Sequence, residues 1–252
     1  MIRILLGGCC GRMGHAVTKA AAERDDLAVV AGVDVRDDGS HAYPVFASYS
    51  DVTEDADVII DFSAPGALDD LLAFARARQL PAVLCATGYS DEQIEAVRAA
   101  SAELALLRSG NMSLGINLLS ALAKTAAKVL GTSFDVEIVE AHHNRKLDAP
   151  SGTALMLEKS IEEGLDYEPE LVYDRHERRQ KRDHREIGMH AIRGGTIVGE
   201  HEIIFAGNDE IIRLSHTAMS RNVFAVGALN AAAFLPGKAP GLYDMSDVIA
   251  AS

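Results

Sequence analysis

Ile2-Arg3-Ile4-Leu5-Leu6-Gly7-Gly8-Cys9-Cys10-Gly11-Arg12-Met13-Gly14 passes from a short apolar run into a glycine cluster, and a helix-compatible segment follows from about His15 to Arg24. That order reads as strand, loop, helix. A second apolar run, Leu27 to Val33, stops at Asp34, and a third, Val58-Ile59-Ile60, stops at Asp61-Phe62-Ser63. Such uninterrupted runs fit parallel strands covered on both faces. Helical spacing of Leu68, Leu71, Leu72 and Ala75 between Gly66 and Gln79 precedes the strand-like Ala82-Val83-Leu84. Ser90-Asp91-Glu92-Gln93 then opens another helix with a capping-box pattern.

Strands alternating with helices through residue 107 predict an α/β fold with a Rossmann-type, doubly wound parallel sheet. The second half does not keep that rhythm. Phe134 to Val139 begins with the apolar-acidic alternation of a half-buried strand, and residues 187–217 read as strands with a turn at Gly207-Asn208. A second, α+β domain with a mixed sheet is expected there. The Ala-rich helical segment from about Asn222 to Leu235 can pack closely on either domain.

A chain of 252 residues with 48% apolar and 24% charged residues suits one large folded domain or two modest ones. Lys plus Arg is 24 against 37 Asp plus Glu, a formal net charge of −13, so the average surface repels nucleic acid. Three cysteines, two of them adjacent as Cys9 and Cys10, cannot form an evenly spaced disulfide framework. The opening apolar run reaches Gly7-Gly8 too soon for a signal-peptide core, and no apolar stretch approaches the ~18 residues that span a bilayer. A soluble, cytoplasmic protein without nucleic-acid or membrane partners is therefore expected. The stretch Asp174 to Glu186, with six Lys or Arg and four Asp or Glu, reads as a solvated loop.

Glycines at 8, 11 and 14 follow the first strand with the spacing G-x-x-G-x-x-G rather than G-x-G-x-x-G. A pyrophosphate needs a tight turn there and backbone N–H groups at a helix start, free of intervening side chains. Asp34 ends the next strand 20 positions after Gly14, where a carboxylate can accept both ribose hydroxyls of an adenosine. Arg36 could meet a 2′-phosphate, so NADH is favoured while NADPH stays open. The loops Asp61 to Pro65, Cys85-Ala86-Thr87-Gly88 and Ser109-Gly110-Asn111-Met112-Ser113 follow further strands, the position at which open α/β sheets bind ligands.

Glu140-Ala141-His142-His143-Asn144-Arg145-Lys146-Leu147-Asp148-Ala149-Pro150-Ser151-Gly152-Thr153 concentrates two His, an Arg and a Lys within five residues of an otherwise acidic chain. An anionic substrate suits such a place. Ser151-Gly152-Thr153 precedes the helix-like Ala154 to Glu163, so N–H groups and hydroxyls at a helix start could grip a carboxylate. Hydride delivery to a carbon–nitrogen double bond leaves the nitrogen needing a proton, which Lys or imidazolium can provide. Zinc held by Glu140, His142 and His143 is disfavoured, because the spacing is not H-E-x-x-H and adjacent strand residues face opposite ways. No metal is expected.

Gly8-x-x-Gly11-Arg12-Met13-Gly14, Ala86-Thr87-Gly88, Asn111 to Asn117 and the Glu140 to Thr153 block together resemble dihydrodipicolinate reductase, or 4-hydroxy-tetrahydrodipicolinate reductase, of bacterial lysine and diaminopimelate synthesis. The likeness extends to Arg193-Gly194-Gly195, Gly199-Glu200-His201, His216-x-Ala218-x-Ser220-Arg221 and Phe224 to Ala228. It implies a homotetramer of two-domain chains using NADH or NADPH on a small cyclic dicarboxylate. Residues 1–112 would form a dinucleotide-binding domain completed by 222–252, and 113–221 a substrate-binding and oligomerisation domain. By motif position His142 and Lys146 would be catalytic, and His143, Ser151, Gly152 and Thr153 would hold substrate. Gly8, Cys9, Cys10, Gly11, Arg12, Met13, Asp34, Phe62, Cys85, Ala86, Thr87, Ser109, Gly110, Asn111 and Met112 would hold cofactor. Many relatives carry Thr where Ala86 stands, removing one hydroxyl near the nicotinamide, and Arg where Val35 stands. The rival readings are a non-catalytic NAD(H) sensor and another dehydrogenase on the same nucleotide fold.

Overall fold

Ile4, Leu5 and Leu6 of β1 (Ile2–Gly7) are fully buried, which is possible only if both faces of that strand are covered. The structure, a computed structural model, describes residues 1–176 and 178–251. Its elements continue with α1 (Arg12–Ala21), β2 (Leu27–Val33), β3 (Val45–Phe46), β4 (Val58–Asp61), α2 (Leu68–Arg78), β5 (Ala82–Leu84), α3 (Asp91–Ser101) and β6 (Ala105–Arg108). After them come α4 (Leu114–Leu130), β7 (Asp135–His142), α5 (Gly152–Glu162), β8 (Glu170–Val172), β9 (Glu186–Arg193), β10 (Gly199–Ala206) and β11 (Ile211–Ala218). The chain ends with α6 (Asn222–Phe234), β12 (Gly241–Tyr243) and α7 (Met245–Ala250). Two compact units result, Met1–Leu114 with Arg221–Ser252, and Gly115–Ser220.

The first unit carries an all-parallel sheet in the order β3-β2-β1-β4-β5-β6-β12. Alternate residues of each strand divide between two cores. Ile4, Leu6, Val58, Ile60 and Val83 pack with Val17 and Ala21 of α1 and with Ala225, Leu229 and Met245 of α6 and α7. Leu5, Ile59 and Leu84 pack with Leu71, Leu72 and Ala75 of α2 and Val97 of α3. The sheet is thus Rossmann-type, and the chain reverses direction across it between β1 and β4, where the carboxyl ends of neighbouring strands leave a crevice. Helix α3 begins at the expected capping box, Ser90 Oγ accepting from Gln93 N–H and Gln93 returning to Ser90 N–H. By contrast α1 starts three residues ahead of the sequence expectation. Gly11 and Gly14 carry no apolar side chain to signal a helix, yet Gly11 takes the N-cap position in extended geometry.

The second unit holds a mixed sheet in the order β11-β10-β7-β9-β8, antiparallel at β11-β10-β7 and parallel at β7-β9-β8. One face is covered by helices: Val136, Ile138, Ile187, Met189, Ile203 and Phe205 pack against Ile116, Leu119 and Ala123 of α4 and Leu157 and Ile161 of α5. The opposite face leaves Ile192 and Ile211 52% and 57% exposed.

The charged stretch Asp174 to Glu186 is, as expected, a largely exposed loop up to the start of β9, but among its described residues, which leave out Glu177, Arg175, Arg178, Arg182 and Glu186 take part in ionic contacts. Arg175 and Arg178 both pair with Glu186, which is 3% exposed. Arg182 reaches Asp135 at 2.8 Å and Glu137 at 3.1 Å, and donates to the carbonyls of Val136 at 2.7 Å and Glu186 at 2.5 Å. The mixed charges are partly consumed in tying the segment to β7 and β9. Arg182→Ala should therefore destabilise the protein by about 1–3 kcal/mol in urea unfolding. A solvated arginine would change stability by no more than about 0.5 kcal/mol.

Candidate active site

At the crevice of the first unit, the backbone of the glycine loop does most of the shaping. Gly8 has φ +70, and a Cβ there would lie 2.7 Å from the Phe62 backbone; at Gly14 it would lie 2.2 Å from the Cys9 carbonyl oxygen. Neither position tolerates a side chain, which is how α1 comes so close to the turn. Gly11 offers no side-chain cap to the N–H groups that open α1, where Arg12 and Met13 stand, and unsatisfied N–H groups at a helix start favour an anion. Asp34 follows β2 directly, and its Oδ2 accepts from Cys10 N–H at 3.0 Å, fixing loop and carboxylate together. These groups fit a dinucleotide: a side-chain-free turn for the pyrophosphate and an acceptor at the next strand end for the ribose.

The remaining cofactor candidates lie at the carboxyl ends of β4, β5 and β6. A cavity of about 520 Å³ is lined by Gly8, Gly11, Asp34, Ser48, Tyr49 and Phe62, among others. Another, of about 370 Å³, is lined by Met13, Phe62, Cys85, Ala86, Thr87, Ser109, Gly110, Asn111 and Met112, with Phe224 from α6. Phe62 and Ser63 belong to both, so the two are neighbouring lengths of one trough. Cys9 is fully buried and lines neither cavity. Ser48 and Tyr49 carry no signal in the sequence, and Phe224 stands there only as part of a motif. Tyr49 donates to Asp61 Oδ1 at 3.2 Å beneath Gly7, and burial pushes the Asp61 carboxyl above its ordinary value.

In the second unit the His-Lys block leaves the end of β7. Glu140 is completely buried. Arg193 holds it with two bonds, Nη1 to Oε2 at 2.8 Å and Nη2 to Oε1 at 2.7 Å. His142 Nδ1 lies 2.6 Å from Oε2, and Ser151 N–H donates to Oε1 at 3.0 Å. Burial pushes the Glu140 carboxyl up, but the bonds from Arg193 and His142 outweigh it and hold the group below its ordinary value. Register explains the meeting: His142 lies opposite Arg193 on β9, and Glu140 opposite His201 on β10. With Nδ1–H directed at the carboxylate, His142 keeps Nε2 for exchange with a ligand. Both Glu140 oxygens are engaged by Arg193, so this carboxylate is not an open metal ligand.

Ser151 is 1% exposed and caps α5, its Oγ accepting from Ala154 N–H at 3.2 Å and lying 3.1 Å from His201 Nε2. That hydroxyl is occupied inside the protein, while Gly152 and Thr153 open the helix. His143 is half-buried directly after β7, and its carbonyl accepts from Lys146 N–H at 3.1 Å. Lys146 Nζ stands 3.0 Å from Asp148 Oδ1, and this bond holds the Asp148 carboxyl below its ordinary value. The structure therefore brings His142, His143, Lys146 and the α5 start together at one end of the mixed sheet. Arg193 and His201 were quoted in the sequence only as parts of a motif; their function in fixing Glu140 and Ser151 depends on strand register that one sequence does not display.

A parallel sheet with a glycine turn and a carboxylate at the next strand end, in a chain that also carries an imidazole and an ammonium at a strand end, fits the class of NAD(P)H-dependent oxidoreductases. Residues 2–112 match the family described as dihydrodipicolinate reductase, N-terminus, and residues 115–249 match dihydrodipicolinate reductase, C-terminus. The chain is 51% identical over 249 residues to the 4-hydroxy-tetrahydrodipicolinate reductase of Caldanaerobacter subterraneus subsp. tengcongensis, covering 99% of this chain and 98% of that one. It is 46% identical over 250 residues to the enzyme of the same name from Clostridium novyi, with the same coverage. Among solved structures, the dipicolinate-bound dihydrodipicolinate reductase from Paenisporosarcina sp. TG-14 superposes with a TM-score of 0.81 at 26% identity, covering 97% of each chain. The chain belongs to the dihydrodipicolinate reductase family.

His201 gives this site a measurable pH signature. Burial first, then the neighbouring His142 charge, lower its pKa from 6.5 to about 4. Between those values the unfolded chain binds a proton that the folded chain refuses, so stability falls as the solution is acidified. The loss amounts to about 3 kcal/mol across the window. His201→Gln retains a partner for Ser151 but does not titrate. Urea unfolding from pH 6.5 to pH 4 should show a shallower decline for this variant than for the parent.

Proposed function

We propose that the chain reduces 4-hydroxy-tetrahydrodipicolinate to tetrahydrodipicolinate in lysine and diaminopimelate synthesis, with NADH or NADPH as the reductant. In net terms the substrate loses its hydroxyl as water and takes up one hydride and one proton. A bound nicotinamide supplies the hydride. The glycine loop holds the pyrophosphate, Asp34 the ribose, and the loops at Phe62, Cys85 to Thr87 and Ser109 to Met112 the rest of the dinucleotide. The observation that carries this reading is the Glu140-fixed His142 beside Lys146 and the start of α5, the arrangement a cyclic dicarboxylate needs.

In this mechanism His143, Gly152 and Thr153 bind the substrate carboxylates, and Ser151 supports them from behind as the helix cap. Lys146 supplies the proton, and His142, held by Glu140, acts as the acid/base that restores it. The dicarboxylate bound by the Paenisporosarcina relative is consistent with such a site. Nothing in the two cavities separates NADH from NADPH on size; Asp34 repels a 2′-phosphate and Arg36 attracts one. Assembly as a homotetramer is supported by the helix-free face of the mixed sheet, with Ile192 and Ile211 exposed on it. Three free cysteines, and the lack among described residues of any helix long and apolar enough to cross a membrane, support a cytoplasmic place of work.

Steady-state oxidation of NADH and of NADPH in the presence of 4-hydroxy-tetrahydrodipicolinate tests the assignment. Loss of nicotinamide absorbance that depends on the substrate is expected, and a protein that binds NADH without consuming it would be a sensor instead. Lys146→Ala should lower kcat by about 10²–10⁴-fold with NADH affinity unchanged. Weakened NADH binding at normal turnover would contradict the role given to Lys146.

A further inference from the structure

The nucleotide reading uses the backbone of Cys9 and Cys10 and leaves their thiols without a function. We propose that Cys9, Cys10 and His41 form a site for a thiophilic cation, zinc above all, bound by two thiolates and one imidazole with the fourth position open to water. The two sulfurs lie 3.8 Å apart, and a tetrahedral zinc with bonds of about 2.3 Å to sulfur has an S···S edge of about 3.8 Å. One donor atom from each of the three residues falls within 4.8 Å of the others. Two soft sulfurs with an imidazole select zinc or copper(I) over magnesium or calcium, which require oxygen.

The imidazole is held before any ion arrives. His41 Nε2 stands 3.1 Å from the Cys9 carbonyl oxygen, and the ring is stacked between His15, at 5.0 Å, and Tyr43, at 4.7 Å. Tyr43 is fixed in turn by a 2.7 Å bond between its hydroxyl and Thr18 Oγ1. His15, Asp38 and His41 form an overlapping group of donors, so an acidic side chain sits beside the incoming charge. Cys9 is fully buried while Cys10 and His41 are partly exposed, which makes their side the route of approach. Both thiols release their protons to solvent as the metal–sulfur bonds form, with no change in oxidation state. The ion then joins the glycine loop after β1 to the segment between β2 and β3, and stabilises the fold by mass action.

Cobalt(II), followed by zinc, tests this on the full chain after chelator treatment in a reductant that carries no thiol. One equivalent of cobalt should produce a thiolate-to-cobalt charge-transfer band, zinc should abolish it, and zinc should raise the Tm. Cys10→Ser should remove the band and Cys85→Ser keep it. His41 has no part in the nucleotide or substrate sets, so His41→Ala should retain reductase turnover in chelator-treated buffer yet bind cobalt at least about tenfold more weakly. No band at excess cobalt, or a band that survives Cys10→Ser, would overturn the proposal. So would a Cys9–Cys10 disulfide, seen as the loss of two hydrogens in mass, forming under these conditions in place of cobalt uptake.

Discussion

A carboxylate removed completely from water has to be answered by charge and by hydrogen bonds, and Glu140 is such a group. Its two oxygens are shared among the Arg193 guanidinium, the His142 imidazole and the Ser151 amide. These partners come from β9, the end of β7 and the cap of α5, so one desolvated charge sets where three pieces of the second unit meet. Removing any partner would leave part of that charge unanswered, which is far costlier than losing a surface ion pair. The same bonds occupy Nδ1 of His142 and leave Nε2 as the nitrogen not held by Glu140.

The first unit solves a different problem with different material. Its ligands are expected at backbone, so the requirement there is for the absence of side chains. Gly8 and Gly14 meet it by leaving no atom where the loop, the Phe62 segment and α1 crowd together. Because β1 is buried on both faces, the loop after it has little freedom to drift, and its amide contact with Asp34 adds a second restraint. One half of the chemistry thus rests on what the glycines omit, the other on a charge that must be compensated.

The parallel α/β rhythm was legible because buried strands are continuous apolar runs, and such runs end visibly at Asp34 and Asp61. Short or edge elements were not. β3 has two residues, β8 and β12 three each, too few for alternation to register. α4, the longest helix among the described residues, stands outside the strand–helix alternation that ends at residue 107. Its start overlaps the motif Asn111 to Asn117, and its sequence is largely apolar. The charged segment before β9 was legible only in part, for a related reason: a mixed-sign run looks the same whether its arginines all face water or some, like Arg182, lie against carbonyls and carboxylates of neighbouring strands.

What the chain settled by itself was the alternation of strands and helices through residue 107, the side-chain-free turn, and the inventory of the His-Lys block, since these depend on residues close together in sequence. Tertiary structure alone decided that Arg193, 53 positions from Glu140, holds that carboxylate, that His201 stays neutral against Ser151, and that His41 lies beside the paired cysteines. The physical reason is that the first two pairings are fixed by strand register, and the third by the path of the segment between β2 and β3. Those are properties of contacts between distant segments, and a one-residue slip of β9 or β10 against β7 would undo the first two.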